Sequence, residues 1–491
     1  MTDLVNAFMG VFDPVSFALI TGGTIFGIIF GAIPGLTATL AVILLIPLSY
    51  GLEPTQGISM LIGGISGGVV AAVLLGMPGT PSSMVTVLDG FALAKQGRAG
   101  KALGAGVTAN LAGSFIGWLF LIALAPQVAR FALEFGPIEN TAVLLFGFTA
   151  VISLSGGSIT KGICMTALGM AFSTVGVDPI SSMERNTLGF SVLTNGISQM
   201  PAMIGLFVVA QAFAEMDTLS ERFIIAASRL TDRFMSLTEL RASLPNFIRS
   251  GLIGTAIGIL PGIGQNASTL ISYNLARTVS KTPEEFGHGC PEGISASETS
   301  NNATNGGALI PLVCLGIPGD LTTSALIGGL MIHGLQPGPL LYSQHPELVG
   351  GIMVAYFMAN VVMYVMELGL MKAFVRMVNV KLSFLFPAIV ACCVLGVYTL
   401  NNRMFDVWVM IIFGFVGYLL ICLGIDMAPV ILGFILGPLI EKYMRMALIS
   451  ANGNWADMFN RPVSVFFVVI AILFVVVPVI KKAVSQGKKK A

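Results

Sequence analysis

The chain has 491 residues, of which 10% are Asp, Glu, Lys or Arg and 55% are hydrophobic, with a formal charge of +1. A soluble domain carries about a quarter of its residues as charges, so a water-soluble globular protein is excluded. A polytopic membrane protein remains, with no basic excess to suit nucleic acid.

The chain opens with MTDLVNAFMGVFDP, which has no basic region ahead of its first apolar run, so a cleaved signal peptide is not expected. Later apolar runs at 352–370, 407–424 and 463–480 are continuous. At 1.5 Å per residue each is long enough to cross a hydrocarbon layer roughly 30 Å thick. A β-barrel would instead show segments of about ten residues with alternating polarity. The six cysteines, among them Cys164, Cys314, Cys392 and Cys393, lack metal-ligand spacing and read as small buried packing residues.

Two halves repeat the same landmarks. IFGIIFGAIPGLTAT at 25–39 and LIGTAIGILPGIGQNAST at 252–269 share G-x-x-x-G-x-x-P-G, at Gly27, Gly31, Pro34, Gly35 and at Gly254, Gly258, Pro261, Gly262. LLGMPGTPSS at 74–83 is echoed by CLGIPGDLTT at 314–323, each after a small-residue run, GGISGG at 63–68 and NATNGG at 302–307. GVDP at 176–179 answers GIDMAP at 424–429 more weakly. Landmarks in one order indicate an internal duplication.

Loop charges give the orientation of the copies. The connection near 47–56 has no Lys or Arg where its counterpart carries Arg277 and Lys281. The next reverses this, with Lys95, Arg98 and Lys101 against His333 and His345; the third reverses again, with Lys372, Arg376 and Lys381 against Arg130. Opposite orientations in the membrane produce such alternation. The expected fold is all-α, with about 11 to 12 transmembrane helices in two inverted-topology repeats containing broken or re-entrant helices. The expected divisions are an N-terminal transmembrane repeat at 1–214, a charged connector at 215–249, a C-terminal repeat at 250–450, and a terminal helix with a basic tail at 451–491. The connector's Arg222, Arg229, Arg233, Arg241 and Arg249, and the terminal lysines, put the connector and C-terminus in the cytoplasm.

Four Pro-Gly pairs interrupt otherwise apolar segments at matching positions: Pro34-Gly35, Pro78-Gly79, Pro261-Gly262 and Pro318-Gly319. In lipid an unpaired backbone group costs several kcal/mol, so such breaks persist where protein or a polar cavity satisfies them. Free N–H groups at a half-helix start can receive a carboxylate. Uncharged polar side chains accompany the breaks. The candidate substrate-binding set is Pro34, Gly35, Thr37 and Thr39; Gly79, Thr80, Ser82 and Ser83; Gly262, Gln265, Asn266 and Ser268; Gly319, Thr322 and Thr323; with Asn301 and Asn302 from the polar run EGISASETSNNATNGG at 292–307. The competing reading is that the glycines let helices pack closely while Ser and Thr bond back to their own helix. The polar run is either a surface loop or an element entering a cavity wall, offering oxygens to Na⁺. Asn305 and Asp320 are the candidate cation ligands, Asp320 standing where the first copy has Thr80; a carboxylate there also suits a helix cap.

No catalytic constellation accompanies the three histidines, His288, His333 and His345, so no enzyme and no cofactor are expected. Glu134, Glu139, Asp178, Glu184 and Asp426 read as loop or helix-end charges, and Lys161 as a cytoplasmic anchor in preference to a group that attracts an anionic substrate.

The stretches GTIFGIIFGAIPGLTATLAVILLIPLSYGLEP at 23–54, LLGMPGTPSSMVTVLDGFALAKQGRAGKALG at 74–104 and GILPGIGQNASTLISYNLARTVSKTPEEFGHGCPEGISASETSNNATNGGALIPLVCLGIPGD at 258–320 resemble the large membrane subunit of the bacterial tripartite tricarboxylate transporters. The likeness covers nearly the whole chain. It implies ion-gradient-driven uptake of a citrate-like di- or tricarboxylate, or of another organic acid, across the inner membrane, with Na⁺ or H⁺ as coupling ion. The implied partners are a small membrane subunit of about four spans and a periplasmic solute-binding protein. Its signature residues fall on Gly31, Pro34, Gly35, Gly76, Pro78, Gly79, Pro81, Pro261, Gly262, Gln265, Asn266, Asn301, Asn302, Gly316, Pro318 and Gly319.

Overall fold

The computed structural model describes residues 13–33, 36–65, 68–78, 80–154, 159–178, 180–216, 234–373 and 382–490. Pro34, Gly35, Gly79, Pro179, Arg222, Arg229, Arg233, Arg376 and Lys381 lie outside the described residues.

The chain is predominantly helical, as its unbroken apolar runs require. Helix α1 (Pro14–Ala32) starts at Asp13, whose carboxylate accepts the N–H groups of Val15 and Ser16, with proline at the first helical position. It stops where Ile33, the residue before a proline, turns extended. Helices α2 (Ala38–Ser49), α3 (Pro54–Gly63), α4 (Val69–Leu75), α5 (Met84–Leu93) and α6 (Ala99–Leu133) follow. Next come α7 (Pro137–Leu154), α8 (Ile159–Ser173) and an antiparallel hairpin of β1 (Gly176–Val177) and β2 (Glu184–Arg185), in which Gly176 faces Arg185. Helix α9 (Gln199–Ile204) runs on through a π-helical turn, Gly205–Val209.

The second half supplies α10 (Leu237–Ile259), α11 (Gly264–Val279), α12 (Pro291–Leu315), α13 (Leu321–Ile332), α14 (Pro339–Gln344), α15 (Pro346–Gly369), α16 (Leu382–Asn401), α17 (Met404–Cys422), α18 (Ala428–Ser450) and α19 (Pro462–Lys490). Helix–break–helix thus occurs at matching places in both halves: α1 to α2 and α10 to α11, then α4 to α5 and α12 to α13. Helices α4 and α12 end alike, on glycines in the left-handed region, Gly76 at φ 64° and Gly316 at φ 71°.

Among the described residues, four helical stretches are long and apolar enough to cross a membrane: Pro14–Ala32, Met84–Leu133, Pro346–Gly369 and Met404–Cys422. Helices α2 and α13 have 12 residues each, about 18 Å of rise and so roughly half a hydrocarbon layer. Both begin directly after a Pro-Gly break.

Two compact units form, each drawing on both halves of the sequence: 1–129 with 211–400, and 130–210 with 401–491. In the first, α12 packs against α10, α11 and α5; α1 packs against α3 and α15; and α2 packs against α13. Its apolar core includes Ile28, Val69, Val73, Leu103, Ile294 and Met363. In the second, α8 packs on α18 and α7 on α19. Charges expected at loops and helix ends are paired there: Arg445 with Asp178 at 2.7 Å, and Arg461 with Glu139 at 2.9 Å. Arg185 grips both oxygens of Glu441, at 2.5 and 2.7 Å, fixing the hairpin to α18.

The cysteines differ from the sequence expectation. Cys290, Cys314 and Cys393 are buried, but Cys164, Cys392 and Cys422 are exposed. In a chain whose outer surface meets hydrocarbon, an apolar side chain does not need the protein interior.

Candidate functional site

The interruptions come together within the first unit. Thr37 caps α2 by accepting the N–H of Leu40, and two residues on the Thr39 hydroxyl meets that of Thr322 at 2.8 Å. The start of α2, after the first break, therefore touches the start of α13, after the fourth. The fourth break is joined to the third by backbone, since the Gly262 N–H donates to the Gly319 carbonyl at 2.9 Å. Across the second break, Pro81–Ser83 forms a short 3₁₀ turn that packs on both α11 and α12. Its hydroxyls converge, with Thr80 2.9 Å from Ser82 and 2.9 Å from Ser83.

The two halves place a polar side chain at the corresponding position after these breaks. Asp320 stands where the first half has Thr80, and each reaches the residue three positions on. The Asp320 carboxylate accepts the Thr323 N–H at 2.8 Å and the Thr323 hydroxyl at 2.7 Å, while the Asp320 N–H donates to that hydroxyl. The capping reading of Asp320 is therefore realised, with one oxygen to spare: Oδ2 is buried without a partner.

The polar run at 292–307 is neither loop nor surface. It is helical throughout, and every residue of Gly293–Cys314 is buried. This is possible because glycines bring two neighbouring helices onto it. A Cβ on Gly258 of α10 would stand 2.3 Å from the Thr304 carbonyl oxygen, and one on Gly254 equally close to that of Ser300. The close-packing reading of the glycine motif thus holds for α10, and the polar helix it admits carries the candidate residues.

On α12, Asn305 accepts from the Gln265 amide, and Thr304 meets Ser268 at 2.7 Å. The side-chain amides of Asn302 and Asn110 of α6 meet at 2.5 Å, and Tyr356 donates to the Asn302 carbonyl at 3.0 Å. Asn301 keeps a buried, unpartnered Oδ1, as Ser300 and Thr299 keep unpartnered hydroxyl oxygens. Asn266, between Gln265 and Ser268 near the start of α11, is exposed. Pro34, Gly35 and Gly79 lie outside the described residues.

Several residues here do not belong to any Pro-Gly motif. Glu298 is 1% exposed and accepts the Thr86 hydroxyl at 2.5 Å on one oxygen; with the Asn110 amide turned to face it, the other accepts at 2.7 Å. Asp89, fully buried in α5, accepts the N–H groups of Gly287, Gly289 and Cys290 at 2.8, 2.9 and 2.9 Å on one oxygen and the Tyr273 hydroxyl at 2.9 Å on the other. It ties down the turn that feeds α12. A single carboxylate in an apolar segment is the signal that would have found Asp89 and also Glu367 of α15.

Apolar helices broken at four matched points, with their polar ends gathered in one unit, define a membrane transport protein. The chain belongs to the tripartite tricarboxylate transporter TctA family, whose model matches residues 17–432. Members are the membrane components of three-part uptake systems, acting with a small membrane subunit and a periplasmic binding protein, and are transport subunits rather than enzymes. The chain is accordingly a multi-pass inner-membrane protein. It is 33% identical over its full length to an uncharacterised 52.8 kDa protein of Agrobacterium vitis, from the TAR-I ttuC' 3' region, covering 99% of that protein. A second Agrobacterium vitis protein, from the TAR-II ttuC' 3' region, is 35% identical over 48% of this chain and 96% of its own length. No solved structure matches.

Proposed function

We propose that this chain forms the pathway of an ion-gradient-driven carrier that takes a citrate-like di- or tricarboxylate into the cell. The supporting observation is the linkage of break to break, through Thr39 with Thr322 and through Gly262 with Gly319. This linkage supports a single polar site built from residues beside the breaks, with Asn301 and Asn302 on the buried helix next to it. The set holds no Lys or Arg, so the anion is received by neutral hydroxyl and amide donors. Such donors serve tartrate and aromatic carboxylates as well as citrate, and the binding-protein partner narrows the choice.

Charge balance requires a co-transported cation. Each net charge crossing the membrane couples to the potential at about 2.3 kcal/mol per 100 mV, so a divalent anion alone moves uphill into a negative interior. Na⁺ beside Asn305 and the spare oxygen of Asp320, or H⁺ on a buried carboxylate, reverses that sign. The two halves lie inverted about the site, with the central connector and C-terminus cytoplasmic, and access alternates as one structural unit moves against another.

The test is uptake of labelled citrate, tartrate and benzoate into proteoliposomes holding the chain with its two partner subunits, with and without Na⁺ and pH gradients. Saturable accumulation that collapses with the gradient supports the carrier. Passive equilibration at channel rates, or no flux of any of the three acids, overturns it.

A further inference from the structure

Glu367, in the last turn of α15, is 1% exposed, and neither of its carboxylate oxygens has a hydrogen-bond partner. Its neighbours in sequence, Leu368 and Met363, belong to the apolar core with Ile28, Val69, Leu103 and Ile294. One turn beyond Ile294 on α12 stands Glu298, whose Cγ lies 3.7 Å from the place a Cβ on Gly106 would take. Helices α12 and α15, which carry Glu298 and Glu367, both contribute to this apolar core through Ile294 and Met363.

The two carboxyls have opposite surroundings. Glu298 receives hydroxyl and amide donors from Thr86 and Asn110, the environment of an ion. Glu367 receives none. An ionised carboxylate without a donor in an apolar core is among the costliest arrangements a protein can hold. A neutral acid in the same place forgoes only its hydrogen bonds. Carboxyls in such contrasting environments divide into one that stays charged and one that carries a proton.

We propose that Glu367 is the proton-carrying group of the transport cycle, with Glu298 as its permanent counterpart linking it to the substrate residues. Glu298 precedes Asn301 and Asn302 by one turn of the same helix, so movement of α12 changes the surroundings of both substrate and proton. Each cycle breaks one O–H bond on Glu367, passing the proton to water on the inner side. A proton from water on the outer side then replaces it, and no electrons move. The inference rests on the carrier reading and selects H⁺ within it.

The groups around Glu367 leave this role to it. Helices α1, α3 and α4 carry no ionisable side chain. On α5 Asp89 is held by Tyr273 and three backbone N–H groups, and Lys95, just beyond that helix, lies over the Phe91 ring. On α6 Lys101 is paired with Glu239, and on α12 Glu292 accepts from Ser280. On α15 itself, Tyr356 donates to the Asn302 carbonyl and Tyr364 packs against the same apolar core, and α14, which packs on α15, carries Tyr342; phenols hold their protons throughout the carboxyl range.

Infrared difference spectra of the purified full-length chain test the assignment without reference to substrate. The C=O stretching band of a buried protonated carboxyl is expected in the wild type, absent in Glu367→Gln and shifted in Glu367→Asp. In proteoliposomes with both partner subunits, Glu367→Gln is expected to keep exchange of labelled citrate, tartrate or benzoate while losing at least about tenfold of pH-gradient-driven accumulation. A band unchanged by Glu367→Gln, or full pH-driven accumulation by that variant, overturns the proposal. Should Glu367→Gln not fold, the Asp variant decides, since an unshifted band overturns it equally. Failure of the wild type to move any of the three acids, with the band still assigned to Glu367, sinks the carrier reading alone.

Discussion

Replacing Asp89 by alanine tests the knot that positions the polar helix. The carboxylate is fully buried and takes four donors: three backbone N–H groups from the turn at 287–290 and the Tyr273 hydroxyl. Alanine orphans all four. At about 1 kcal/mol for each donor in a turn that can partly rehydrate, the loss is about 4 kcal/mol. That corresponds to roughly a thousandfold rise in local opening of the segment. Asparagine keeps one carbonyl oxygen for the N–H groups and loses chiefly charge assistance, so it is expected to cost about 1–2 kcal/mol. The assay is tryptic cleavage in detergent at Lys281 and Arg277, both exposed beside the turn, alongside thermal unfolding. Cleavage should rise in the order wild type, Asp89→Asn, Asp89→Ala. If the alanine variant is cleaved and melts like the wild type, the three N–H groups have other acceptors and the anchoring argument is wrong.

Gly258→Ala places a Cβ 2.3 Å from the Thr304 carbonyl oxygen, so α10 and α12 must separate; a loss of about 2 kcal/mol should show as a lower melting temperature and a smaller folded fraction by size exclusion. A double-mutant cycle of Thr39→Val and Thr322→Val should return a coupling of about 0.5–1.5 kcal/mol for their shared hydrogen bond, and zero coupling in unfolding measurements would mean the two breaks do not touch. Glu239 is held down to about 2, first by the Lys101 ammonium and then by the Ser236 N–H. A lowered folded value gives stability that is present above the unfolded carboxylate range and is lost as pH falls through about 2. Lys101→Met should move that loss up towards the ordinary carboxylate range, seen in melting temperatures between roughly pH 6 and pH 3, and an unchanged profile would refute the pairing.

What the sequence revealed of the site depended on punctuation. Proline and glycine mark helix ends whatever packs around them, so the breaks near Pro261 and Pro318 were legible, as were the hydroxyls of Thr322 and Thr323 that follow. Which break meets which was not, because contact between Thr39 and Thr322 is decided across 283 positions of chain. The run at 292–307 left a surface loop and a cavity-wall element both open for a related reason. Its composition is that of a loop, and its burial depends on Gly254 and Gly258 of another helix. Asp89 and Glu367 stood in plain view as lone carboxylates in apolar runs, but their roles differ only through neighbours: four donors for one, none for the other.

The polar helix α12 also bears on how the protein is made. A segment containing Glu298 and three asparagines enters lipid reluctantly by itself, since an acidic residue at a helix centre opposes insertion by about 2.5–3.5 kcal/mol. Thr86 and Asn110, which receive Glu298, leave the ribosome some two hundred residues earlier. The first half of the chain is thus in place to act as an internal chaperone, and synthesis of the two halves in reverse order would leave this helix without a host.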